Sequence, residues 1–116
     1  MGVKRIVANI NVTQPAAAKA FYHDLLGLEL LMDHGWIQTY GQDTTMSVQV
    51  SFASEGGSGM PVPDLSIEVD NLDELLERMQ HAGFAPEYGP ATEPWGVRRF
   101  FVRDPFGRLV NILQHE

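Results

Sequence analysis

Along residues 4–12 apolar and polar positions alternate, with Ile6, Ala8, Ile10 and Val12 on one side and Val7, Asn9 and Asn11 on the other. A period of two belongs to a strand whose faces meet different environments, so one face is predicted to be core. The period then lengthens. Thr13 or Gln14 opens a helix, Pro15 suits its first turn, and Ala17, Phe21, Tyr22 and Leu25 recur at helical spacing before Gly27 ends it. Phe21 and Leu25 are expected to be buried. Residues 28–32, 36–40 and 45–53 read as three strands of a meander, separated by Asp33-His34-Gly35 and by Gly41-Gln42-Asp43.

The same order recurs further along. Leu65, Ile67 and Val69 alternate with Asp64, Ser66 and Glu68, then Asp70 or Asn71 caps a helix built on Leu72, Leu75, Leu76 and Met79, and Gly83 stops it. Residues 84–88, 97–103 and 109–114 complete a second meander. Its last two strands flank Asp104-Pro105-Phe106-Gly107, where Pro fixes φ and Gly takes the left-handed position of a tight turn, so they read as a hairpin. Val12 answers Val69, Gly27 answers Gly83, and Val48-Gln49-Val50 answers Val110-Asn111-Ile112. The pattern predicts an α+β chain of two tandem βαβββ repeats forming a cupped mixed sheet, with any site where the halves meet. One domain over residues 1–116 is expected, with repeat one at about 4–53, a linker at 54–63 and repeat two at about 64–114. The linker's Ser54-Glu55-Gly56-Gly57-Ser58-Gly59 lacks a hydrophobic anchor and reads as the most flexible stretch.

At 116 residues and 44 per cent hydrophobic composition, the chain can bury one core but not two. It has no cysteine, which excludes a disulfide framework, a thiolate metal site and a cysteine nucleophile. No apolar run approaches a membrane span, and the N-terminal residues enter a strand pattern rather than a signal-peptide segment, so no membrane partner and a cytoplasmic location are expected. The net charge of −7, from 15 acidic and 8 basic residues, argues against nucleic acid as a partner. A neutral or cationic small molecule fits better, although the same charge also serves simply to keep a protein soluble.

With Phe21-Tyr22, Leu26-Gly27-Leu28, the Val69-Asp70-Asn71 strand end and Asp104-Pro105-Phe106-Gly107 in this order, the whole chain resembles the vicinal oxygen chelate superfamily. That superfamily includes glyoxalase I, extradiol dioxygenases, fosfomycin-resistance enzymes and bleomycin-resistance binding proteins. In its enzymes a divalent metal lies between two half-open cups, on ligands from the first and last strands of each repeat. The resemblance maps those ligand slots onto Val7, Asp64, Gln49 and Asn111. Val7 has no donor atom and two of the others are neutral amides, whereas zinc, nickel or iron sites use several imidazoles or carboxylates. No metal, no cofactor and no catalytic residue are therefore expected. His23, His34, His81 and His115 fall on a helix, in a turn, near a helix end and at the C-terminus, and read as surface histidines.

What the resemblance then implies is the binding branch. Thr92-Glu93-Pro94-Trp95-Gly96 followed by Phe100 and Asp104-Pro105 is similar to the bleomycin-resistance proteins, in which a Trp before this strand packs on a flat heteroaromatic part of the drug. Such relatives are commonly homodimers with ligand grooves between subunits. Strand alternation places Asn9, Asn11, Gln49, Ser51, Asp64, Ser66, Glu68 and Asn111 on the face away from the helices, where they line a cavity or satisfy water and one another. The expected ligand set is Trp95, Asn9, Asn11, Gln49, Asp64, Glu68, Asn111 and Arg98. Arg98, Arg99 and Arg103 either meet an anionic ligand or pair with surface carboxylates, the commoner fate. Trp36 and Tyr40 are read as core filling. The expected activity is metal-independent sequestration of a drug-like or cationic aromatic molecule. The alternatives are a glyoxalase-like lyase or dioxygenase with Asp64 in an unusual metal shell, and a vestigial cup in a dimerising accessory domain.

Overall fold

The computed structural model describes residues 7, 8, 10–42 and 51–116. A 3-10 turn over Pro15–Ala18, with Pro15 in the first turn, runs directly into a π-helical segment over Lys19–His23. Strands β1 (Glu29–Asp33) and β2 (Gln38–Gly41) follow as an antiparallel pair. The second half runs β3 (Leu65–Glu68), α1 (Leu72–His81), β4 (Pro86–Thr92), β5 (Val97–Arg103) and β6 (Leu109–His115). These four strands form one mixed sheet of order β3-β6-β5-β4, in which β3 and β6 are parallel and the other pairs antiparallel.

The βαβββ unit is thus complete in the second half. In the first, residues 7, 8, 10–12 and 51–53 lie in no strand, and the remainder of the two expected outer strands falls outside the described residues. The two helical segments do end alike: Gly27 (φ +76°) and Gly83 (φ +92°) both take the left-handed conformation that turns the chain out of a helix.

The core lies between the helices and one face of the four-stranded sheet. Ala18, Phe21 and Tyr22 from the first helical segment and Leu72, Leu75, Leu76 and Met79 from α1 close on Phe100, Val102, Val110 and Ile112. Phe21 meets Tyr22 and Phe84 edge-on, at ring separations of 5.0 and 5.2 Å. Full burial of such a ring stabilises the fold by roughly 1.5–3 kcal/mol. Leu25, expected inside, is only partly buried at the edge of this core.

The β5–β6 hairpin turns where Asp104-Pro105-Phe106-Gly107 predicts it. The Asp104 carbonyl accepts the Gly107 N–H (3.0 Å), and its Oδ1 accepts the N–H groups of Phe106 (2.8 Å) and Arg108 (2.9 Å). The Tyr22 hydroxyl donates to Asp104 Oδ2 at 2.8 Å, tying the turn to the first helix. Burial first, and then this carboxylate, push the Tyr22 phenol far above its ordinary range.

Three details depart from the sequence pattern. Asn71 precedes α1, but its side chain makes no capping bond; Gln114 Oε1 of β6 accepts the Leu72 N–H instead, at 2.9 Å. β4 starts later than the pattern predicts and continues to Thr92, pairing with β5 through two irregularities in register. Trp36, read as core, is exposed, since it sits in the turn closed by the His34 N–H and the Ile37 carbonyl. Among the described residues no helix is long and apolar enough to cross a membrane.

Candidate functional site

Because Phe100, Val102, Val110 and Ile112 face the helices, their strand neighbours face the other way. In register, Phe101 lies opposite Asn111 and Arg99 opposite Leu113, Ser66 pairs with Asn111 and Glu68 with Leu113, and Tyr88 pairs with Phe101. Tyr88, Arg99, Phe101, Asn111, Ser66 and Glu68 therefore share the face away from the helices.

At the centre of this face Asn111 is only 8% exposed. Its Nδ2 donates to Ser66 Oγ at 3.2 Å, and its Oδ1 has no partner among the described residues. Rotating the amide would let Ser66 donate to the oxygen but would strand the nitrogen, so among the described residues one polar atom of Asn111 goes without a partner either way. Toward the open end, Glu68 Oε2 lies 2.7 Å from His115 Nδ1, both side chains being solvent-exposed. A cleft of about 460 Å³ runs from there between Leu26, Leu28 and Gln42 on one side and Val69, Asp70 and Asn71 on the other. Of the expected ligand residues it contains Glu68 alone.

The densest constellation lies at the β4–β5 end and centres on Arg99, which the sequence weighs only alongside Arg98 and Arg103 and leaves out of the expected ligand set. Its guanidinium is buried, 4% exposed, and paired with Glu93 at 2.7 Å. Glu93 in turn accepts from the hydroxyls of Ser58 (2.8 Å) and Tyr88 (2.9 Å). Burial alone would raise the Glu93 pKa. The Ser58 and Tyr88 hydroxyls together with Arg99 outweigh that and hold it below the usual glutamate range. Arg99 Nη1 and Nη2 also donate to the carbonyls of Gly56 (2.8 Å) and Gly57 (3.2 Å). The guanidinium carbon sits 4.8 Å from the Phe101 ring centroid, 5.1 Å from Trp95 and 5.5 Å from Tyr88.

Trp95 occupies the tip of this end. Glu93-Pro94-Trp95-Gly96 turns between β4 and β5, with the Gly96 N–H on the Glu93 carbonyl (3.2 Å) and the Glu93 N–H on the Val97 carbonyl (2.7 Å). The ring is held by Arg99 and the Gly57 backbone yet remains 54% exposed. The glycine-rich stretch that holds it is a closed loop rather than a free tether. Gly56 N–H donates to the Met60 carbonyl (2.7 Å) and Met60 N–H to the Gly57 carbonyl (3.0 Å). Gly57, Ser58 and Gly59 are all left-handed, at φ of +85°, +52° and +79°, a sequence of conformations that glycine permits most readily.

The remaining expected residues are dispersed. Arg98 lies on the helix side of the sheet, where strand alternation sends it to Asp73 at the start of α1 (3.0 Å), away from Asn111 and Trp95. Asn11 is exposed, and Asn9 and Gln49 lie outside the described residues. Asp64 holds the start of β6, accepting the Leu109 N–H at 3.0 Å with Arg108 at 3.9 Å.

This donor set does not fit a divalent metal. Val7 has no ligand atom, Gln49 and Asn111 are neutral amides, and the one carboxylate, Asp64, already serves a backbone N–H beside an arginine. Among the described residues no three His, Asp or Glu side chains converge.

Comparison with known proteins gives the chain its relatives. The family model for the glyoxalase/bleomycin resistance protein/dioxygenase superfamily matches residues 3–112. TnmS3, an antibiotic binding protein from Streptomyces sp. CB03234, is 25% identical with a TM-score of 0.69, covering 100% of this chain and 97% of that one. A glyoxalase/bleomycin resistance protein from the same Streptomyces strain is 26% identical, with a TM-score of 0.59 over 89% and 93% of the two chains. Lactoylglutathione lyase from Agrobacterium tumefaciens, 17% identical with a TM-score of 0.64 over 97% and 92%, shares the fold. No curated protein matches significantly.

Proposed function

Since the chain belongs to the glyoxalase/bleomycin resistance protein/dioxygenase superfamily, we propose that it acts as a binding protein, sequestering a planar drug-like or cationic aromatic molecule without metal chemistry. The observation that carries this reading is Trp95: a large ring fixed on one side by Arg99 and the Gly57 backbone, but more than half exposed at a hairpin tip. A ring already immobilised loses little entropy when a second ring stacks on it, so its apolar area is available for binding. The amide atom of Asn111 that has no partner among the described residues adds a demand for a hydrogen bond that a ligand can meet. Similarity to the antibiotic binding protein TnmS3 supports the same branch. The neutral amides at the family's metal positions favour binding over lyase or dioxygenase chemistry.

A second copy of the chain is the proposed partner. Leu30, Leu31 and Met32 on β1, with Trp36 and Phe52, are exposed apolar side chains of the kind an association buries.

The test is thermal shift of metal-stripped protein against divalent ions and a panel of flat natural products that includes bleomycin, with Trp fluorescence read in parallel. Stabilisation by a compound, with quenching and no response to metal, is expected. Strong stabilisation by a metal ion alone would move the protein to the enzyme branch.

A further inference from the structure

We propose that Arg99 determines the charge of what Trp95 accepts: by filling an aromatic box from inside, it makes the Trp95 site select neutral or anionic planar rings over cationic ones. This inference rests on the sequestering role proposed above and revises its ligand class, setting cationic aromatics aside in favour of neutral or anionic planar rings.

Tyr88, Trp95 and Phe101 surround one cation, with ring centroids 5.5, 5.1 and 4.8 Å from the guanidinium carbon. Aromatic boxes of this kind recognise cationic ligands through the negative faces of their rings. Here the cation belongs to the protein. Arg99 is 4% exposed, donates from all three of its nitrogens, to Glu93 (3.0 Å), Gly56 (2.8 Å) and Gly57 (3.2 Å), and is ion-paired with Glu93 at 2.7 Å, so it is not a group that swings out to make room. The inner face of Trp95 is further closed by the loop, since a Cβ added to Gly57 would come 3.1 Å from the indole ring. What remains open is the outer face, and its electron density is drawn toward the guanidinium behind it.

Glu93 cancels the charge of Arg99 at a distance, but it does not remove the short-range contact between guanidinium and rings. The overall charge of −7 pulls the other way. That pull is long-ranged and decays over a Debye length of about 8 Å at physiological salt, whereas the contact effect survives salt. The two influences are therefore separable. The loss of one exposed cation–π contact corresponds to a roughly two- to fivefold change in affinity.

The experiment titrates the full chain by Trp fluorescence with three anthracenes of one ring system: 9-anthracenemethanol, anthracene-9-carboxylate and a 9-anthracenylmethyl trimethylammonium. Titrations are run at low salt and at high salt. At high salt the neutral and anionic probes are expected to bind at least about twofold tighter than the cation. Equal or tighter binding of the cation at high salt overturns the inference while leaving the sequestering role in place. No binding by any of the three removes both. In the Glu93→Gln/Arg99→Met double variant, which empties the box of charge, the neutral-over-cation preference should vanish. An unchanged preference in that variant would show that Arg99 does not set it. Should the variant fail to fold, the comparison of probes on the unaltered chain still decides.

Discussion

Replacing Glu93 by Gln preserves the shape of the side chain and most of its hydrogen bonds while deleting its charge, so it isolates what the ion pair with Arg99 contributes. Both partners are about 5% exposed and 2.7 Å apart. Breaking a pair so deeply buried costs about 3–5 kcal/mol, because the surviving charge has lost its counterion where water cannot reach it. Arg99 would retain the carbonyls of Gly56 and Gly57 and its three rings, which places the cost at the lower end, about 3 kcal/mol. Against a total of about 5–15 kcal/mol for a domain, that is a large fraction of the stability. For a chain of this size it corresponds to a fall in Tm of about 10–15 °C. Equilibrium urea unfolding of the unaltered chain, Glu93→Gln, Arg99→Met and the double variant would measure it. Each single variant should be strongly destabilised, and the double variant should recover most of the loss, since apolar or neutral groups of similar volume replace a buried pair at little cost. The reasoning is refuted if Glu93→Gln costs less than about 1 kcal/mol, or if the double variant is no more stable than the worse single one.

The pH dependence follows the same pair: the Glu93 pKa is depressed in the fold, so its contribution is complete above the ordinary glutamate range and lost as pH falls through the folded value. Acid unfolding should therefore be shallower in Glu93→Gln than in the unaltered chain, as monitored by circular dichroism from pH 7 downward. Asn111→Leu removes a buried amide with an atom that has no partner among the described residues, so stability should hold or rise by up to about 1–2 kcal/mol in urea while affinity for any ligand found in the thermal-shift panel falls. Gly57→Ala places a Cβ 3.1 Å from both Arg99 and Trp95 at a φ of +85°. It should cost more than about 1 kcal/mol and shift Trp emission to the red as the loop lifts off the ring; unchanged emission would mean that the loop does not hold Trp95.

Much of the second half was legible because each element rests on a local signal. Leu72, Leu75, Leu76 and Met79 repeat at helical spacing and all four are buried, and Asp104-Pro105-Phe106-Gly107 carries its own turn chemistry. The helix cap was not legible, because the group that satisfies the Leu72 N–H is Gln114, 42 residues away. Trp36 misleads for a related reason: an aromatic residue within an apolar run looks like core, yet burial depends on whether another element arrives to cover it, and none among the described residues does.

The candidate site divides along the same line. Period-two alternation is enough to place Ser66, Glu68 and Asn111 on one face, because a strand allows its side chains only two directions. It is not enough to choose between Arg98 and Arg99, since a one-residue difference in register exchanges them; the structure gives Arg98 to Asp73 and Arg99 to the interior. Nor does composition reveal that Gly56 and Gly57 offer carbonyls to a guanidinium 43 and 42 residues further on. A glycine-rich stretch signals conformational freedom, and freedom serves equally to leave a chain loose or to let it adopt three successive left-handed residues around a partner. What decides between the two is the partner, and a buried arginine has five N–H donors to satisfy. An arginine in a strand of otherwise core-forming residues, as in Val97-Arg98-Arg99-Phe100-Phe101-Val102, was the available signal: one of the two must be buried, and whichever it is must draw a carboxylate and backbone carbonyls from elsewhere in the chain.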